Sequence, residues 1–219
     1  MDAERVPKIF RPFLIGRRTF REILQEALEW IKLLATPRGV LVALPVLVGV
    51  GVVCVAQLKG VETKYWKGPN EVAAIYIMSA ATAVFLLRSI LFRQRFDVLL
   101  LALAAAFLCR EIHFAGTSKG VYVAVAIIGL WGWAWRDSII DAMEGRRTMK
   151  TVLVGMVWSY FVSLVVQRRL GKHLPFGEDF HNFEHSVHVA LEEVTENISH
   201  TIFLLAGLAG FLPPEKKDP

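Results

Sequence analysis

The chain has 219 residues, 54% of them apolar, with a mean hydropathy of +0.45 and a formal net charge of +5. A water-soluble domain of this length must cover itself with polar surface and rarely carries so much apolar content. No compact basic and aromatic surface stands apart from the apolar runs, which excludes a nucleic-acid partner; Lys and Arg excess in such a chain belongs to cytoplasmic loops and anionic headgroups.

Residues 1–18 are basic and expected to be irregular. Thr19-Phe20-Arg21-Glu22 then forms a capping box, with a Thr hydroxyl for the free amides and a Glu reaching back. Phe20, Ile23, Leu24, Ala27, Leu28, Ile31 and Leu34 follow at three- and four-residue spacing until Pro37. This predicts an amphipathic helix too polar to span, lying at the cytoplasmic headgroup level or docked on a partner subunit.

The first apolar run starts near Val40 behind this basic segment and lacks a small-residue cleavage site, so it is expected to stay in the mature chain. Crossing a ~30 Å hydrocarbon core takes roughly 20 apolar residues. Spans are predicted at Val40–Leu58, Glu71–Phe92, Phe96–Phe114, Gly120–Trp135 and Thr151–Gln167, with a last helix from His185 to Pro213-Pro214. Tyr65, Trp66 and the indoles Trp131, Trp133 and Trp135 fall at interfaces, as an aromatic belt requires. Cys54 and Cys109 each sit inside an apolar run, as small buried hydrophobes or, if two outer helix ends meet, as a disulfide.

The expected fold class is therefore all-α: a polytopic membrane helical bundle with about six transmembrane helices plus an N-terminal amphipathic interfacial helix. The domain division is a cytoplasmic segment over 1–37, a membrane domain over 38–214 and a short cytoplasmic tail over 215–219. With six spans and the N-terminus inside, 17 of the 25 Lys and Arg fall on the cytoplasmic side against 8 outside. That bias predicts an inner-membrane protein with both termini cytoplasmic.

The last helix carries His185, His188, Glu192, Glu193, Glu196, Ser199 and His200. At about 100° per residue they occupy one arc of about 140°, with Leu191, Val194 and Ile198 opposite. A titratable stripe on a span must face protein or water rather than lipid. At 1.5 Å per residue back from Leu212, Glu196 lies about one turn inside the hydrocarbon and His200 deeper. Arg110, Glu111 and His113 end the third span on the same side, and Arg110 is the natural counter-ion for a buried carboxylate. The expected polar cluster is Arg110, Glu111, His113, Glu192, Glu193, Glu196 and His200, with His188 at its edge.

Arg110-Glu111-x-x-Phe114 late in one span, with Glu192-Glu193-x-x-Glu196 opening the last, resembles a group of uncharacterised bacterial multi-pass membrane proteins. In that group an acidic residue is expected near the position of His113. The resemblance covers two short motifs and implies the fold, but no activity.

Three functions fit this pattern. A non-catalytic subunit of a larger membrane complex would use the cluster to fix helix register. A metal-dependent membrane hydrolase would bind Zn through His113, His185 and His188, with His181 and Glu192 as further donors and Glu111 or Glu192 as base. This resembles the logic of membrane ceramidase-type enzymes, whose seven-span frame and motif order are not present here. A proton- or ion-coupled transporter would relay protons through Glu196 and His200. A b-type haem between His113 and His188 is the remaining cofactor option. The partners expected are the lipid bilayer and other membrane subunits.

Overall fold

A computed structural model describes residues 34–112, 117–143, 145–169 and 178–213, with the single positions 25, 28 and 32 before them. Gln25, Leu28, Lys32 and Leu34 are helical, but most of the expected amphipathic helix lies outside the described residues, as do residues 1–18 and the tail 215–219. The architecture is all-helical, with no strand among the described residues. The helices are α1 (Pro37–Val42), α2 (Leu44–Leu58), α3 (Lys67–Phe92), α4 (Arg95–Glu111), α5 (Thr117–Ala134), α6 (Arg136–Met143), α7 (Arg147–Gln167) and α8 (Glu178–Ala209).

Three stretches are long and apolar enough to cross a membrane: Pro37–Leu58, Lys67–Phe92 and Arg147–Gln167. A fourth exists if Gly120–Ala134 and Arg136–Met143, bent 78° from each other, act as one span. Two helices expected to span fall outside that set for different reasons. The α4 helix has only 17 residues, and α8 dilutes its apolar face with the His, Glu, Asn and Thr of its polar stripe.

Local chemistry explains most boundaries. Pro37 opens α1, and Pro45 stands in the first turn of α2, where a missing N–H costs nothing; the chain breaks between them at Ala43. The α3 helix starts at Lys67, ahead of the expected Glu71, because Pro69 also fits a first turn. It ends where Arg93 takes a left-handed backbone (φ 51°), its N–H closing on the Ser89 carbonyl. The α8 helix starts at Glu178, seven residues before the expected His185. Glu178 there opposes the positive end of the helix dipole, so a segment that looked like polar loop continues the helix. Its 32 residues make it the longest of the described helices, about 48 Å at the usual rise.

Helix α8 is the hub, packed by α7, α3 and α2, while α1 lies on α7 and α5 on α4. Small residues let the backbones close in. A Cβ on Gly155 of α7 would stand 2.4 Å from Val42 Cγ1 of α1, and one on Gly49 of α2 would stand 2.6 Å from Ile198 Cδ1 of α8. The core joins Phe85, Phe96, Leu100, Met149, Met156 and Phe203.

The distribution of polarity is inverted relative to a soluble protein. Leu58, Tyr76 and Leu130 are 70% or more exposed or close to it (75%, 72% and 70%), while Arg88, Asp97, Thr195, Ser199 and His200 are fully buried. Apolar surface of this kind needs an apolar solvent, and buried polar groups need partners inside. The chain is a membrane protein.

Candidate functional site

Three elements build the main polar centre. Arg110 and Glu111 come from the last turn of α4, Tyr160 and Gln167 from the distal half of α7, and Glu196 and His200 from adjacent turns of α8. The 3.6-residue repeat stacks Glu196 and His200 on one face, which meets Arg110 and Glu111 of α4 and Tyr160 of α7.

Arg110 Nη2 donates to Glu196 Oε2 at 2.9 Å, and Nη1 pairs with Oε1 of the same carboxylate. The result is a fork-on-fork pair, the strongest geometry available to these groups. Gln167 Nε2 donates to the same Oε2 at 3.4 Å. One turn deeper, Tyr160 Oη lies 2.7 Å from His200 Nδ1, and His200 Nε2 lies 3.5 Å from Glu111 Oε1. His200 is fully buried, and its Nε2 has no hydrogen-bond partner. Phe107 covers the ring pair, with its centroid 4.9 Å from Tyr160 and 6.2 Å from His200.

A pocket of about 350 Å³ opens beside this centre between α4, α5 and α7. Leu103, Val121, Val125 and Leu164 line its walls, and Arg110, Tyr160, Gln167 and Glu196 form its polar end.

Of the residues expected in one cluster, Arg110, Glu111, Glu196 and His200 are brought together. Glu192 stands apart, 3.8 Å from His188 Nε2 one turn away. Glu193 is half-buried beside the network but makes no part of these contacts. His113 lies outside the described residues. Among the described residues, Glu111, Glu196 and His200 form the set whose ligand-type atoms all lie within 4.8 Å of one another. His185 is exposed and His188 pairs with Glu184 and Glu192, so neither belongs to that set.

Outside the membrane-spanning stretches, Arg169 Nε donates to Glu184 Oε1 at 2.9 Å and Nη2 pairs with Oε2. That hydrogen bond, with help from the charges of His188 and His185, holds the Glu184 carboxyl below its ordinary range despite partial desolvation.

A second polar centre lies at the opposite ends of the same helices. Arg88 of α3 donates from Nε (2.9 Å) and Nη2 (2.6 Å) to Asp97 Oδ1 of α4. Its Nη1 reaches the Gly207 carbonyl of α8 at 3.4 Å, and the guanidinium sits over Phe92 and Phe211. Sequence reasoning passed over this pair, although the signal was there: Arg88 is a lone charge inside an apolar run, and Asp97 opens the next one. Tyr160 and Gln167 had no signal, since nothing in α7's composition distinguishes the face turned to α8.

No family model, curated protein or solved structure matches this chain.

Proposed function

We propose that this chain is a six-span inner-membrane protein, with both termini cytoplasmic, that serves as a non-catalytic subunit of a larger membrane complex. The observation that carries this reading is the pairing of charges at both ends of the α3–α4–α8 group. Arg88–Asp97 locks α3 to α4 at one end, and Arg110–Glu196 locks α4 to α8 at the other. Two such ties make a rigid frame that presents apolar outer faces, such as Leu47, Val48, Leu86 and Ile90, to lipid or to neighbouring subunits. The α4 and α8 helices complete the span count in this reading, their polar groups facing inward. Purification in a mild detergent from native membranes tests it: stoichiometric partners are expected, and a monodisperse lone chain would remove the subunit role.

A second reading, a metal-dependent membrane hydrolase, is favoured by one specific observation. The Glu111, Glu196 and His200 donor set adjoins a pocket with apolar walls and a polar end, a shape suited to an amphiphilic substrate. Transport draws no comparable support. About 10 Å of α8 separates His200 from Gly207, and Phe85, Phe203 and Met78, all fully buried, fill that layer. Described residues there provide no polar relay.

A further inference from the structure

We propose that the pocket between the first turns of α1 and α7 binds one anionic glycerophospholipid, its phosphate held by Arg38, Arg147 and Lys150 and an acyl chain laid along α7. The inference goes beyond the subunit role and holds whichever side of the membrane the pocket faces.

Position comes first. The stretches Pro37–Leu58 and Arg147–Gln167 are both long and apolar enough to cross a membrane, and both begin at this pocket. It therefore lies at a boundary of the hydrocarbon, the level of lipid phosphates. Its volume is about 440 Å³, ample for a ligand group. The two helices close its base, since the place of a Cβ on Gly39 of α1 is taken by Val154 Cγ1 of α7.

Charge selects the ligand. Arg38, Arg147 and Lys150 line the pocket with the hydroxyl-bearing Thr36 and Thr151, and no Asp or Glu is among the described lining residues. Neither Arg38 nor Lys150 has an acidic partner among the described residues. Arg and Lys side chains carry donors and no acceptor, so the group they converge on must be rich in acceptor oxygens and negative. A guanidinium fork matches two phosphate oxygens, while the Lys ammonium serves as a point charge.

The surface beyond the charges selects a lipid over a free ion. At about 100° per residue, Arg147, Lys150, Val154, Val157 and Phe161 share one arc of about 80° on α7. Val157 and Phe161 are exposed, 44% and 53%. One helix face thus runs from cations into exposed apolar surface, the same order as a phospholipid from head to chain. Basic pockets between spans are known to take anionic headgroups.

Native mass spectrometry of the full chain in detergent, with phosphatidylglycerol and phosphatidylcholine in equal amounts, tests the site. Wild type is expected to retain one phosphatidylglycerol per chain in preference to phosphatidylcholine. Arg38→Gln and Lys150→Gln each lower that retention by about 5-fold. Lys150→Arg keeps it, and Arg168→Gln, which removes an exposed cation from the other end of α7, leaves it unchanged. Equal retention of the two lipids by wild type overturns the proposal, because water or acidic residues of the chain itself then fill the pocket. An equal loss in Arg168→Gln overturns it too, since the attraction is then the charge of the whole chain. Displacement by inorganic phosphate at the lipid's own concentration overturns the lipid assignment, the acyl chain then adding nothing. Partner co-purification is read separately and decides only the subunit role.

Discussion

Arg88 and Asp97 are nine positions apart in sequence, on different helices, and both side chains are fully buried with two hydrogen bonds between them. The turn Arg93–Gln94 brings α3 and α4 side by side, so the pair closes the base of that hairpin. Removing one partner strands the other charge in an apolar interior. Asp97→Ala is expected to destabilise by about 3–5 kcal/mol, whereas Arg88→Met with Asp97→Leu restores most of the loss. Thermal unfolding in one detergent, run as a double-mutant cycle, reads both.

Gly210 sits against that guanidinium. A Cβ there would stand 1.6 Å from Arg88 Nη1, and the arginine is already held by Asp97, Gly207 and two aromatic rings. Gly210→Ala is expected to cost about 1–3 kcal/mol through forced displacement. Gly129→Ala, in a helix and with nothing within 4 Å, should be neutral or gain up to about 1 kcal/mol from helix propensity. The same melting assay compares them.

The Gly155 and Val42 contact makes a parallel case at the α1–α7 interface, where the added Cβ would meet Val42 Cγ1 at 2.4 Å. Gly155→Leu should unseat α1 from α7. Trp158, whose Nε1 donates to the Leu34 carbonyl at 2.7 Å, supplies the readout: its fluorescence is expected to change as that bond is lost.

Glu184 links stability to pH. Its folded carboxyl titrates below the ordinary value because Arg169 donates to it, with His185 and His188 adding favourable charge. A depressed acid contributes stability that is complete above the unfolded value of roughly 4.3 and lost as pH falls through the lower folded value. Melting temperature should therefore drop below about pH 4 in wild type, and the part due to this pair should vanish in Arg169→Ala. An identical acid profile in the variant would show that the pair contributes nothing.

The proposed six spans with cytoplasmic termini predict a labelling pattern. In a background with Cys54→Ala and Cys109→Ala, Val61→Cys is expected to react with an impermeant maleimide in intact cells. Lys150→Cys should react only after permeabilisation. Reversal of the two would invert the orientation, and equal labelling would break the span count.

The class of the molecule was legible in the order of its amino acids. Long apolar runs with charges confined between them force helices, because only a helix satisfies its own backbone in lipid. The stripe from His185 to His200 was equally plain, since periodicity is a local property of the chain. It located Glu196 and His200 on one face and made Arg110 the expected counter-ion. Which groups meet depends on how the helices pack. Glu192 and Glu196 share the stripe, yet one turn of α8 separates an outer pairing with His188 from the buried contact with Arg110. Tyr160 comes from α7, and no periodicity along α8 could name it. Helix boundaries also moved: α8 took in Glu178 to Glu184, because acidic residues at a helix start are stabilised by the dipole although they look like loop. Local pattern fixes what a side chain faces, whereas which helix stands opposite depends on packing across α3, α4, α7 and α8. The pairing of His200 with Tyr160 and Glu111 exists only once those helices close.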